Sequence, residues 1–359
     1  MRTESLFSVI LSEAKNPAGC VLQASRTAAL LDSSLALRMT NAGFGRWAGL
    51  LLTAATLTAQ PQFPGTRWSG WANENDLGGS LVRTEGSGVI DEDLVRTARE
   101  VISHSTGTPN WSNPRAFEKD VFTFASAVFK VGPNLDPGYG YGKRLGWWVD
   151  FPDADLNLSY RLQQMTSMKV DPNGRVMKLI DRDLHQHPFI IMEHPGYMML
   201  RDAEVDGLRK YLFAGGTLVV IDFWNAREWE GFSGQIKRVL PDRTWTEITL
   251  DHPIFHCVFD IKGPMQRLQV PTMQFWNRAH NPDDPNSKLQ IYDRGAGSNK
   301  MSVRTINDDK GHIMVIAFHN SDITDGWERE GEHADYFQVF SERVSYPLGI
   351  NLLFYLMTH

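Results

Sequence analysis

Two short runs without polar alternation, Phe189-Ile190-Ile191-Met192 and Leu218-Val219-Val220-Ile221, bracket the most regular stretch of the chain, residues 188–223. Strands buried on both faces read this way, and such strands belong to parallel sheets. Between the two runs Val205, Leu208 and Leu212 recur at spacings of three and four, while Asp202, Glu204, Asp206, Arg209 and Lys210 fall elsewhere. One stripe is therefore apolar and the other face wet, which predicts an amphipathic helix over 202–214. Gly215 and Gly216 end it, since glycine just past a helix accepts the left-handed conformation of a C-cap and lets the chain turn into the next strand. The unit is strand, helix, strand, and it predicts an α/β fold with an open, mostly parallel sheet flanked by helices.

The same patterning predicts strands near Glu247 and at 289–292, 301–306 and 312–318. Helices are expected at 154–164 and 232–240. A final helical stretch, 336–357, contains Pro347, which should kink or split it. Ahead of this core, residues 61–118 are rich in Gly, Asn, Ser and Pro, with Trp68, Trp71 and Trp111 interleaved. They read as a mobile lead-in, held by its tryptophans, with one helix over 91–103 that is apolar at Val95, Ala98 and Ile102. Gly138-Tyr139-Gly140-Tyr141-Gly142 has glycine periodicity but no helix start behind it, so it predicts a flexible aromatic loop and not a phosphate cradle.

The first sixty residues bear on compartment. Residues 39–60, MTNAGFGRWAGLLLTAATLTAQ, place Arg46 before the apolar run 47–57 and small residues after it, the anatomy of a secretory signal peptide. The run is too short for a stable bilayer anchor. Residues 1–38 resemble a translated intergenic repeat, so Met39 is the expected start and Pro61 the expected mature N-terminus. Residues 1–60 hold five basic and three acidic side chains, so their removal takes the formal charge from −6 to −8. An acidic chain without clustered Lys and Arg is a poor match for nucleic acid. Cys257 is then the one cysteine of the mature chain, expected as a small buried hydrophobe.

Several segments together resemble a bacterial family known as domain of unknown function 4159. They are the strand ending in Glu193-His194-Pro195-Gly196, the helix closing as LRKYLFAGG, the strand TLVVIDFW, the run FTFASAVFKV, Trp147-Trp148-Val149-Asp150, and His252-Pro253-Ile254-Phe255. The resemblance spans roughly 119–358 and implies strands at 122–131 and 166–170. It implies a fold like that of class I glutamine amidotransferases, a flavodoxin-like three-layer sandwich, in which a nucleophilic Cys sits on a sharp turn after a strand. Here that place reads Ile221-Asp222-Phe223-Trp224, and neither G-x-C-x-G nor G-x-S-x-G occurs in the chain. The resemblance therefore implies a core that has lost its nucleophile.

Four groups of residues could carry chemistry. Asp150, Asp153 and Asp155 could hold a hard cation or, more simply, cap the following helix. His252 and His256 have zinc spacing only on a helix, which Pro253 disfavours, so they should not converge. Glu193, His194 and Gly196 share one expected sheet edge with Asp222, Trp224 and Asn225, and open α/β sheets bind ligands at that edge. His319, Asn320, Asp322, Asp325, Trp327 and Glu328 lie in a polar loop past another apolar strand. The leading expectation is an exported, non-catalytic binding or interaction module, secreted or periplasmic, with no cofactor and no metal. Its partner is an unknown envelope protein or a small ligand. The alternative is a metal-assisted hydrolase using Glu193, His194, Asp222 and His319, which proximity of those four would favour. A third, carbohydrate binding through residues 138–142 and Trp224, rests only on aromatic surface.

Overall fold

The structure, a computed structural model, describes residues 81–359 except 84–88, 106, 118–119, 132–145, 282 and 285–296. The segments assigned to the signal peptide and to residues 1–38 lie outside the described residues, as do the 138–142 loop and the strand expected at 289–292.

Eleven strands are described: β1 (Leu81–Arg83), β2 (Val89–Asp91), β3 (Ala125–Val128), β4 (Lys130–Val131), β5 (Arg175–Lys178), β6 (Phe189–Glu193), β7 (Met198–Met199), β8 (Thr217–Phe223), β9 (Thr246–Ile248), β10 (Ser302–Asn307) and β11 (Ile313–His319). Seven of them form the central sheet in the order β5-β3-β6-β8-β11-β10-β9. The first five in that row are parallel, and β10 and β9 extend the sheet antiparallel at one edge. In chain order the parallel strands run 2-1-3-4-5, so the direction of winding reverses between β3 and β6, where doubly wound sheets open a crevice. β1 with β2 and β4 with β7 form separate two-stranded ribbons.

Alternation along the strands divides the interior in two. Leu218 and Val220 of β8 pack on one face with Val205, Leu208 and Leu212 of helix α2 (Asp202–Phe213) and Phe232, Ile236 and Val239 of α3 (Asn225–Val239). Val219 and Ile221 pack on the other with Ala154, Leu158 and Leu162 of α1 (Asp153–Met165) and with Trp276 of α4 (Met273–Ala279). Helices thus cover both faces, giving three layers, and both faces of the central strands are buried as their unbroken apolar runs predicted.

The strand-helix-strand unit ends as expected at Gly215, with φ of +98°. Gly216 serves differently: a Cβ there would lie 2.3 Å from the Tyr211 ring. At the other end of α2 the Glu204 carboxylate accepts from the Arg201 N–H and from its guanidinium, each at 2.8 Å. Elsewhere the expected boundaries shift. The 122–131 strand is shorter and interrupted, and 166–170 supplies only the bridge Phe122 to Val170, with β5 taking its place. Helix α3 begins at Asn225, well before residue 232. Three further α-helices follow, the one-turn α5 (Asp325–Glu328), α6 (Ala334–Tyr336), which runs on as a π-helix, Phe337–Ser345, and the α7 (Tyr346–Thr358) that the π-helix leads into. No break occurs at Pro347. The Tyr346 N–H donates to Ser341, five residues back, so the wide turn before the proline absorbs its ring.

The 91–103 segment is not a helix; only Ala98–Glu100 form a turn of 3-10 helix. Val95 and Ala98 are buried and Ile102 is exposed, because the segment lies flat on the domain and buries short stretches of backbone. Its ties are polar: the Ala98 N–H donates to Asn173, Arg99 to the carbonyls of Pro172, Thr108 and Pro109, and the Trp111 indole to Val170. Residues 89–105 and 107–117 are therefore a seated strap and not a mobile lead-in. Among the described residues no helix is long and apolar enough to cross a membrane.

Candidate functional site

Three neighbouring parallel strands end in polar residues with left-handed backbone. His194 follows β6 with φ of 52°, Asp222 closes β8 with φ of 52°, and Asn320 follows β11 with φ of 64°; Asn225, at the start of α3, has φ of 56°. Non-glycine residues hold that conformation only where the surroundings over-determine it, and such strain gathers at functional sites. The hydrogen bonds here are specific: His194 N–H to the Ile221 carbonyl, Asp222 N–H to Ser321, Asn320 N–H to Phe223, and Asn225 N–H to the Asn320 side-chain oxygen. The bends bring the His194 and Asp222 side chains together beyond the sheet edge.

Asp222 is held on both oxygens. Its Oδ2 lies 2.9 Å from His194 Nδ1, and its Oδ1 accepts from the Trp224 indole at 2.8 Å. Around this pair stand further carboxylates from remote parts of the chain: Asp150 ahead of α1, Glu193 at the end of β6, and Asp322 in the loop after β11. One oxygen each from Asp150, Asp222 and Asp322 lies within 4.8 Å of the others. All are buried. Burial first, then the charges of Asp325 and Asp222, hold the Asp150 carboxyl well above the usual carboxylate range. Asp322 is raised by burial and by Asp222 and Asp325. Glu193 is raised by burial and by Asp150, Asp155 and Asp222. It is 2% exposed, and neither of its side-chain oxygens has a hydrogen-bond partner.

Asp155 completes the rear of the cluster. Its Oδ2 accepts from the Ser126 hydroxyl of β3 at 2.6 Å, and burial pushes the carboxyl up to about 7.

A second group, Asp150, Asp325 and Glu328, also brings three carboxylate oxygens within 4.8 Å. Its surroundings differ because nitrogen groups stand beside its carboxylates. Arg329 Nε lies 3.1 Å from Asp325 and 2.6 Å from Glu328, and His104 Nε2 lies 2.6 Å from the other Glu328 oxygen. His104 comes from the strap, where its Nδ1 is 2.8 Å from Asp153 and its neighbour Ser103 donates to the same carboxylate. Burial would raise Asp153, but those bonds outweigh it and hold the group below its usual range.

Sequence reasoning put Glu193, His194 and Asp222 at one edge, with Asp322 and Asp325 reaching it if their strand were parallel, which it is; the structure adds Asp150, considered there only with Asp153 and Asp155. Other candidates serve the scaffold. His319 is corrected out of the catalytic set: its Nε2 lies 2.8 Å from the Asn225 carbonyl, its ring packs on Phe223 and Trp229, and burial lowers it to about 4. Asn320 donates to the carbonyls of Gly297 and Lys300, Asn225 caps the first turn of α3, and Trp224 positions Asp222. Gly196 admits α3, since a Cβ there would lie 2.5 Å from that of Glu228. Trp327 is core, edge-on to Phe124.

Neither Asp153 nor Asp155 caps α1, whose N-cap is Pro152. His252 and His256 do not converge: the first caps a short turn, and the second pairs with Asp260 at 2.8 Å. Cys257 is exposed, not buried, with its Sγ 3.1 Å from the Asn351 carbonyl. His104, Ser126 and Arg329 were missed. No local pattern marks them, because each joins the cluster only through tertiary packing.

The fold and the site together define an open α/β protein with an acidic centre at the carboxyl ends of its parallel strands. A family model described as domain of unknown function (DUF4159) matches residues 139–357, and the chain belongs to that family. No curated relative matches the chain. The strap, with His104, precedes the matched region.

Proposed function

We propose that the protein is an exported binding module, built on a glutamine-amidotransferase-like core without its nucleophile, that seats a small cationic ligand at the carboxyl edge of its sheet. Export is supported by the signal-like pattern of residues 39–60, and the core by the 2-1-3-4-5 strand order with helices on both faces. One observation carries the ligand class. Glu193 has two buried, unpartnered oxygens under the influence of the Asp150 and Asp222 charges, and a buried carboxylate is stable only when protonated, paired or bound to a cation.

Binding is favoured over hydrolysis by burial and by position. The His194 side chain is fully buried, so a substrate bond has no open path to it, whereas a small ion needs little room. His319, expected as a fourth catalytic group, is committed to the Asn225 carbonyl. The test is a thermal-shift panel on the mature protein after chelation, with divalent and alkali cations, ammonium, methylammonium and guanidinium. Stabilisation by at least one cation, lost in Glu193→Gln, supports the reading. A panel with no cationic stabiliser, or shifts unchanged in the variant, refutes it.

A further inference from the structure

We infer that the ligand of this edge is a single hard divalent cation held by Asp150, Asp222 and Asp322, with Glu193 as a fourth carboxylate, and that Arg329 and His104 keep a second cation out. The inference rests on the binding-module reading and names its ligand.

The first argument is size. If three oxygens are 4.8 Å apart, a point at their centre is about 2.8 Å from each (4.8 divided by √3), the outer limit of the arrangement. Ca²⁺ takes oxygen ligands at about 2.3–2.6 Å, so closing around it requires movements of a few tenths of an ångström. An ammonium or guanidinium group could meet the same oxygens, but it brings a carbon frame, and Asp150, Glu193, Asp222 and Asp322 are all at most 2% exposed. A bare ion fits where a tail does not.

The second argument is ligand chemistry. Every donor is a carboxylate oxygen, the set preferred by Ca²⁺, Mg²⁺ and Mn²⁺ over softer metals. Four carboxylates around one position demand more charge than a monovalent ion supplies. The ligands are also pre-oriented, as metal carboxylates usually are. Asp222 is fixed by Trp224 and His194, and Asp322 accepts from the Thr272 hydroxyl at 3.0 Å and from the Asp325 N–H at 2.9 Å. Both Glu193 oxygens and Asp150 Oδ2 have no such partner, which is what ligands awaiting an ion look like.

The third argument concerns number. Asp150 belongs to both carboxylate groups, the arrangement a two-metal centre would use. In the second group, however, both Glu328 oxygens already face nitrogens, Arg329 Nε on one side and His104 Nε2 on the other, and Asp325 shares Arg329. A guanidinium that is always charged occupies the place of the second ion.

The experiment is an Mn²⁺ titration of the chelator-treated mature protein, with free Mn²⁺ read by electron paramagnetic resonance, followed by competition with Ca²⁺, Mg²⁺, K⁺ and methylammonium. One equivalent should bind and be displaced by Ca²⁺ but not by K⁺ or methylammonium. Affinity should fall at least tenfold in Glu193→Gln and in Asp322→Asn, both near-isosteric, and stay within about threefold in Glu328→Gln. Circular dichroism of the metal-free variants checks that each is folded. Absence of Mn²⁺ binding alongside stabilisation by an organic cation overturns this inference and leaves the binding-module reading standing; absence of any cation effect sinks both. Two equivalents in the wild type, or loss in Glu328→Gln with Glu193→Gln and Asp322→Asn unaffected, refutes the assignment of the ion and of the Arg329 and His104 block.

Discussion

Asp155→Asn gives the acidic cluster a stability signature that needs no ligand. The Asp155 carboxyl titrates at about 7 in the folded protein against an ordinary value of 3.8, a rise of 7 − 3.8, or about 3.2 pH units. At about 1.36 kcal/mol per unit, that is a penalty of about 4 kcal/mol once the group is ionised in both states. The sign follows from the raised folded value. Below pH 3.8 the group is protonated folded and unfolded, and nothing is lost. As pH climbs toward 7 the unfolded chain releases its proton first, and stability falls by up to about 1.4 kcal/mol per pH unit, levelling off above 7. Asparagine removes this dependence. Its oxygen still accepts from Ser126, while its new amide needs an acceptor, a loss of about 1 kcal/mol. In urea titrations of the chelated protein at pH 4 to 8, the variant should therefore be about 0.5 kcal/mol less stable than wild type at pH 4. The curves should cross near pH 4.5, with the variant about 3 kcal/mol more stable at pH 8. A difference that stays flat from pH 4 to 8 would refute the account of a buried, proton-holding carboxyl.

Three further outcomes are expected. Gly215→Val and Gly216→Val should each lower the melting temperature, the first because φ of +98° strains a β-branched residue by about 1–3 kcal/mol and the second because its side chain meets the Tyr211 ring; an unchanged melting temperature in either removes that explanation. Arg201→Ser should change stability by no more than about 0.5 kcal/mol in urea titration, since a gained N-cap acceptor offsets a half-exposed ion pair with Glu204; a loss beyond 1.5 kcal/mol would show the pair to be worth more. Intact-mass analysis of the exported protein should give an N-terminus near Pro61, and retention of Met1 would contradict the export reading.

Legibility in the sequence tracked locality. Runs such as Leu218 to Ile221 announced doubly buried strands because burial on both faces is written into consecutive residues. The end of α2 was equally plain, since Gly215 satisfies a local backbone need. The strap was misread because Val95, Ala98 and Ile102 have helical spacing, yet its Ala98 N–H donates to Asn173 and its Arg99 side chain to the Pro172 carbonyl, far along the chain. At the site, each strand end could be read singly, and the shared edge followed from the parallel sheet. What could not be read was which polar residues face inward. His319 ends β11 and Asn320 follows it as His194 follows β6, but their side chains reach carbonyls of neighbouring segments. Asp155 was foreseen as a helix-capping residue, whereas its pairing with Ser126 is set by the packing of α1 against β3.

The central claim, one hard cation among four buried carboxylates, is tested most directly by anomalous diffraction from crystals of the mature protein grown or soaked with Mn²⁺. One peak is expected, within about 2.0–2.6 Å of oxygens from Asp150, Asp222, Asp322 and Glu193, with Arg329 still seated on Asp325 and Glu328. A map without a peak at that position, or with its peak between Asp325 and Glu328 and Arg329 displaced, would contradict it.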